Sequence, residues 1–368
     1  MDNINLPSAS KDNFISAIIF IISVVSLIVI IIYVIYLKRL NNSECDFMTD
    51  TYGTLNGNIK SISTTDEDCS GNLRDYYIKT AYNCCSGGSY KNDFVNICNM
   101  KNVLKQGVRC LDFEIYSIND QPVVATSVSD DYYVKESFNS VSFSDVMTTI
   151  KNNGFSSGTV PNPEDPLLLH LRIQSSNQTM YTNLANVLQS YTNILLGSDY
   201  SFETGNENIT AQPLISFMGK VIIIVDRSNT SFVQNEEFME FVNLTSNSAF
   251  MRAFRYKDVK DSPNIEELTE YNKRNMTIVL PDNESNPDNP SAPFTNELGC
   301  QMTAMRFQYV DNYLEQNVAF FDRCGYAFGL KPDRLRYHPI ILPSPTLQDE
   351  SVSYAKRTIA TDFYSLDY

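Results

Sequence analysis

The sequence lacks tryptophan altogether and carries only 14 glycines and two histidines in 368 residues. Basic residues are also in deficit, 28 Lys and Arg against 43 Asp and Glu, for a formal charge of -15. That deficit argues against a nucleic-acid partner, because binding phosphates needs clustered cations that displace counterions. It argues equally against electrostatic docking on anionic lipid and fits a solvated, soluble surface. No Gly-x-Gly-x-x-Gly follows a strand-like run and no Gly-x-x-x-x-Gly-Lys-Ser/Thr occurs, so dinucleotide and P-loop chemistry have no anchor. The adjacent Cys84 and Cys85 lack the two-residue gap of a zinc motif, and there is no internal repeat. What is present, 43% hydrophobic and 19% charged residues, is the composition of a chain that buries a core.

Charge is missing most conspicuously from Phe14 to Leu37. At about 1.5 Å per residue this segment extends about 36 Å as a helix, against roughly 30 Å for a bilayer's hydrocarbon core. Tyr33 and Tyr36 stand where interfacial aromatics belong, and Lys38-Arg39 follow at once. A cleaved signal has a shorter apolar region and a small-residue cleavage site, so the expectation is a permanent transmembrane helix over 14–37 after a tail, 1–13. Its partner is the lipid bilayer. The side on which the body lies is left open: Lys38-Arg39 favour the cytosol, whereas all eight cysteines follow the apolar segment, an even count that an oxidising lumen or exterior would pair.

From 38 to about 70 the chain is rich in Asn, Ser, Thr, Asp and Gly without periodicity, which reads as a stalk. Beyond it, VRCLDFEIY, QPVVATS, PLLLHLRI and KVIIIVD have strand length and composition. Between them, SFSDVMTTIKNNGF starts with a helix-capping Ser and closes at Gly154. Met180, Leu184, Val187, Leu188, Tyr191 and Ile194 share one face of a second helix. Strand, helix, strand, helix, strand is the pattern of a parallel α/β sheet, either a closed barrel or doubly wound.

Gly107 to Val124, GVRCLDFEIYSINDQPVV, resembles the first conserved region of phosphatidylinositol-specific phospholipase C. YYIKTAYN upstream and PEDPLLLHLRIQSS and FMGKVIIIVD downstream are similar to its neighbouring strands. NELGCQMTAMRFQ and FFDRCGYAFGLKPDRLR are similar to the second conserved half. The resemblance implies a distorted TIM barrel of the phospholipase C-like phosphodiesterase type over residues 71–340, with a C-terminal tail at 341–368.

The resemblance implies two histidines as general base and general acid and, in the family's eukaryotic branch, calcium. The match to the first histidine is Tyr82, beside Asn83; the match to the second is Thr126. An unperturbed Tyr titrates near 10 and a Thr hydroxyl not usefully, so neither replaces imidazole as base or acid near neutral pH. His170 and His338 match neither position, and His170 should point into the barrel one layer below the site as a satisfied core residue. Asn83, Asp112 and Glu114 keep oxygens at metal-ligand positions, but Arg172 stands where the family has a further acid. A guanidinium there repels calcium and invites a buried salt bridge with Asp112 or Glu114. Ile224, Asp226 and Ile278-Val279-Leu280-Pro281 replace the family's phosphate-gripping cations.

The expectation is therefore a membrane-anchored barrel with no catalytic residues, no cofactor, the calcium site lost and an unknown protein partner. The competing reading is an active phosphodiesterase rewired around Asp112, Glu114 and Arg172, which requires an open polar pocket at the strand ends. A third permits a surface attachment protein contacting a partner through its Asn-rich loops. The Asn, Ile, Ser and Tyr bias fits an AT-rich genome such as that of a large DNA virus or a protist.

Overall fold

The computed structural model describes residues 8–129, 133–201, 208–339, 352 and 356–368. These fall into two compact units, the first ending at Arg336 and the second beginning at Tyr337. The strands of the first unit are β1 (Tyr76–Ala81), β2 (Cys110–Ile118), β3 (Gln121–Ala125), β4 (Val141–Ser142), β5 (Leu167–Gln174), β6 (Val221–Asp226), β7 (Leu244–Ser246), β8 (Met251–Arg255), β9 (Met276–Leu280), β10 (Met302–Met305) and β11 (Phe328–Leu330). Its helices are α1 (Ser8–Tyr52), α2 (Ile97–Lys105), α3 (Phe143–Asn153), α4 (Gln178–Gln189), α5 (Glu236–Met239), α6 (Tyr256–Lys260), α7 (Ile265–Arg274), α8 (Ala292–Glu297) and α9 (Asn312–Cys324). In the second unit β12 (Thr358–Ala360) and β13 (Ser365–Asp367) form an antiparallel hairpin with Ile359 opposite Leu366.

Eight strands pair in parallel in the order β7-β6-β5-β2-β1-β10-β9-β8, a nearly closed barrel whose seam lies between β7 and β8. The alternation of side chains along each strand divides the core in two. Cys110, Leu168, Ile222, Ile224, Ile278 and Met302 pack together inside the barrel. Their neighbours Leu111, Phe113, Leu169, Leu171, Ile223 and Val225 pack outward, against Phe143, Val146, Met180 and Leu184 of the surrounding helices. The four strands read from the sequence and the α3 helix are all present, with Ser142 Oγ accepting from Asp145 N–H at 3.2 Å and the Gly154 N–H closing on Ile150. The helix expected through Ile194 ends sooner, at Gln189; Tyr191 to Ile194 continue as turns, and Leu195 forms a parallel bridge with Val221.

The expected stalk at 38–70 is replaced by ordered structure. The helix does not end with the apolar segment at Leu37 but runs unbroken to Tyr52. Glu44, Met48 and Tyr52 recur every four residues and so share one face, which is buried on the barrel. Tyr52 meets the Phe307 ring edge-on at 5.6 Å, Asn102 Nδ2 donates to Thr49 Oγ1 at 3.0 Å, and Cys45 forms a disulfide with Cys98 of α2. Ile59 and Ile62 are buried in turn, and Ile62 N–H donates to Asp165 Oδ1 at 2.7 Å. The polar composition that suggests a stalk belongs to the solvated face of this segment. The apolar part of α1 is exposed from Phe14 to Tyr36 and is a candidate membrane span by length and composition. Of the tails, residues 1–7, 340–351 and 353–355 lie outside the described residues.

Candidate functional site

Catalytic and binding groups of parallel β/α barrels sit at the C-terminal ends of the strands, and there β1, β2 and β5 bring five of the six candidate residues together. Parallel register pairs Asp112 with His170 and Glu114 with Arg172 across β2 and β5. Just past β1, Asn83 adopts the left-handed conformation (φ 43°), which Asn tolerates better than most side chains. The turn aims its amide at β2: Nδ2 donates to Glu114 Oε1 at 3.0 Å, and its backbone N–H donates to Asp112 Oδ1 at 3.3 Å.

Arg172 fills the space between these three residues. Its Nε donates to Asp112 Oδ2 at 3.0 Å and Nη2 to Asp112 Oδ1 at 2.7 Å, a bidentate fork; Nη1 donates to Glu114 Oε1 at 2.8 Å and Nη2 also to Asn83 Oδ1 at 2.9 Å. The Tyr82 ring covers the guanidinium at 4.7 Å. The residue is 3% exposed. Calcium needs six to eight oxygen ligands around one centre. Here the oxygens of Asn83, Asp112 and Glu114 are turned onto a cation the chain itself supplies, so this donor set does not fit a metal ion.

The rest of the cluster satisfies what Arg172 leaves. Glu114 Oε2 accepts from Tyr116 Oη at 2.7 Å and from Ser127 N–H at 2.9 Å. His170 Nδ1 lies 2.7 Å from Asp112 Oδ2 and its Nε2 lies 2.9 Å from Ser246 Oγ, fully buried, so the histidine one layer down is bonded on both ring nitrogens. Burial alone raises the Asp112 carboxyl, but the Arg172 charge and the His170 and Arg172 hydrogen bonds outweigh it and hold the group well below the usual carboxylate range. Burial lowers Arg172 in turn, and Asp112, Tyr82 and Glu114 overcome that and raise it.

The hydroxyls of Tyr82 and Thr126 are engaged by groups outside the carboxylate cluster. Tyr82 is buried, which raises its phenol; Arg255 Nη1 donates to its oxygen at 3.0 Å, and its ring meets Tyr90 edge-on at 5.2 Å. Thr126 Oγ1 donates to the Tyr90 carbonyl at 2.9 Å. His338 belongs to the second unit.

Sequence reasoning misses several participants. Tyr116 is two residues past Glu114 on one face of β2, and that spacing could have found it. Ser246, Tyr90 and Arg255 reach the site from distant segments and carry no local signal. Arg255 also supplies a cation at the mouth that the resemblance does not assign. It helps to line an open pocket of about 260 Å³ with Arg172, Gln174, Asp226, Ser228 and Asn247. Asp226 accepts from Asn247 Nδ2 at 2.7 Å.

A near-complete parallel barrel with its polar cluster at the C-terminal strand ends is the architecture of the phospholipase C-like phosphodiesterases. The phosphatidylinositol-specific phospholipase C X domain matches residues 69–227 and the Y domain of the same enzymes residues 227–334. The chain belongs to the phosphatidylinositol-specific phospholipase C family. Among solved structures it is similar to PLC21 of S. officinalis (18% identity, TM-score 0.59) and of L. pealei (19%, 0.58). Each alignment covers 73% of this chain and 38% of the other, so the chain spans well under half the length of these two proteins. At such identity the likeness concerns the fold. Among curated proteins, none matches the chain in sequence.

Proposed function

We propose that this chain is a membrane-tethered, non-catalytic barrel of the phospholipase C family, serving as a binding or structural component. The observation that carries the reading is Arg172, whose four side-chain hydrogen bonds occupy Asn83, Asp112 and Glu114. General acid and base groups each contribute about 10²- to 10⁴-fold, and Tyr82 and Thr126 supply neither near neutral pH. The apolar, exposed part of α1 supports the tether. The Cys45–Cys98 disulfide supports a body on the oxidising side of the membrane, against the weaker pull of Lys38-Arg39.

The polar mouth pocket favours the second reading, a rewired phosphodiesterase, because it is open and holds both Arg255 and Asp226. One assay separates the two. Full-length protein in nanodiscs containing phosphatidylinositol and its bisphosphate, with calcium, is expected to release no water-soluble inositol phosphate above protein-free background. Release that is abolished by Thr126→Ala or Tyr82→Phe would overturn the non-catalytic reading.

A further inference from the structure

The manner in which α1 leaves the barrel fixes which end of the barrel meets the bilayer. Its contacts with α2 advance in step along both helices: Cys45 with Cys98, Thr49 with Asn102, and the Gly53 carbonyl with Lys105 Nζ at 2.9 Å. The two helices therefore run parallel. α2 follows β1 and precedes the parallel strand β2, so it descends from the mouth of the barrel to its floor. α1 does the same. Its upper docked residue, Glu44, packs on Gly87, Gly88 and Asp93 of the mouth loop between β1 and α2, whereas its lower end continues to the floor, where Lys60 N–H donates to the Gly325 carbonyl at 3.0 Å. Leu37, Leu40 and Asn41 above it are still partly covered, and the exposed apolar run from Phe14 to Tyr36 projects beyond the mouth.

We infer that α1 is a rigid mast holding the mouth of the barrel against its own bilayer, so that the surface presented to lipid headgroups is the ring of loops around Arg172 and the polar pocket. The inference rests on the proposed reading of α1 as a membrane span. Leu37 to Glu44 is seven residues of unbroken helix, about 10 Å, so the Gly87–Asp93 loop lies within about a headgroup layer of the hydrocarbon. Tyr52, at the floor end, is about 22 Å from Leu37 along the same helix. Two observations independent of the helix direction agree. The mouth loops expose Tyr133, Val134 and Phe138, and Phe138 N–H is bonded to the Asp93 carbonyl at 2.8 Å, beside the point where the mast emerges. Such side chains suit the boundary between headgroup and acyl chain. The disulfide and the buried Met48 and Tyr52 leave no hinge between span and barrel.

The test is energy transfer from single fluorophores on the full chain in nanodiscs to a headgroup-labelled lipid. The half-buried Cys324, at the floor end of α9, is the native attachment point; Phe138→Cys in a Cys324→Ser background gives the mouth. Transfer from position 138 should exceed that from 324 by at least about twofold, given the ~12 Å difference in height along the mast. Inserting six Gly-Ser residues between Arg39 and Leu40 should erase the difference. Equal transfer from the two sites, a reversed order, or a difference that survives the insertion overturns the orientation. Flotation of the same preparations keeps the readings apart: a chain that fails to float with lipid refutes the span itself, and one that floats with equal transfer refutes only the mast.

Discussion

Floor and mouth of this barrel are both built on buried polar side chains, yet the floor joins segments of backbone whereas the mouth joins side chains to one another. At the floor, Arg109 donates to the Gly154 and Asn162 carbonyls, and Gln301 Nε2 donates to the carbonyls of Arg74, Asn272 and Asn275 while its Oε1 accepts from Thr277 N–H. Those partners stand at or near the ends of elements, Asn272 in the last turn of α7 and Thr277 at the start of β9, so these two side chains close the chain's connections. At the mouth, Arg172 bonds only Asn83, Asp112 and Glu114. The strands carrying them are already paired by their own backbones. The barrel's topology does not need the mouth cluster, but once two carboxylates are buried there, the carboxylates need Arg172. A scaffold held together at its floor in this way keeps its fold whichever cation stands at its mouth.

The largest effect should come from breaking that dependence. Arg172→Met leaves Asp112 and Glu114 buried without a counter-charge, which costs roughly 3–5 kcal/mol and lowers the melting temperature by about 10 °C. Calcium should restore part of the loss in the variant, because the oxygens of Asn83, Asp112 and Glu114 are then free to ligate, and should leave the wild type unmoved. The pair also sets an acid limb. Asp112's carboxyl lies below its ordinary 3.8, so the stability it contributes is present above that pH and is lost as pH falls through the lower native value. Thermal melts with and without calcium from pH 1.5 to 7 check all three statements. A wild-type melt that rises with calcium would show that the guanidinium yields to the ion.

Gln301→Leu probes the other region. It strands three carbonyls and the Thr277 N–H, at about 1 kcal/mol per bond less what water recovers, so a loss of roughly 2–3 kcal/mol is expected. Here calcium should have no effect in any background. If it rescues Gln301→Leu as it does Arg172→Met, the contrast between floor and mouth is not one of chemistry.

Much of this was legible because the informative residues lie close together along strands. Asp112 and Glu114 share a face by spacing alone, and Arg172 opposes them because strands that read as β2 and β5 pair in parallel, so both the barrel and the ion pair could be anticipated. The mast could not. Its docked face, Glu44, Met48 and Tyr52, mixes one acid with two apolar residues amid Asn, Ser and Asp, and what makes it a buried face is the barrel's own surface far along the chain. Arg255 escaped for the same reason, since nothing near it in sequence announces Tyr82 as its acceptor.

A smaller effect belongs to the junction between mast and mouth. Burial first, and Asp93 second, push the Glu44 carboxyl up from 4.5 to about 9, and its Oε1 is buried without a hydrogen-bond partner. The docked helix therefore holds a proton that an unfolded chain releases. Its contribution is complete below about 4.5 and is lost as pH rises through about 9. Glu44→Gln removes that slope. With partial solvent screening discounted, the gain at pH 8 is about 1 kcal/mol, or ~2–4 °C, and nothing at pH 4. A wild-type melting temperature that is level from pH 5 to 8 would mean the carboxyl is already solvated.

The smallest change, Tyr82→Phe, is the most discriminating for the site. It deletes only the oxygen that accepts from Arg255 and keeps the ring over Arg172, and Arg255 Nη1 retains the Pro281 carbonyl at 3.0 Å. One charged hydrogen bond with a remaining partner is worth about 1 kcal/mol. If Tyr82 is a packing residue at the mouth, the variant should melt within ~4 °C of wild type, with lipid binding unaltered. If the phenol instead serves a rewired reaction, stability will be the same and any phosphodiesterase activity will disappear, so measuring both on one preparation decides whether the mouth is packed or working.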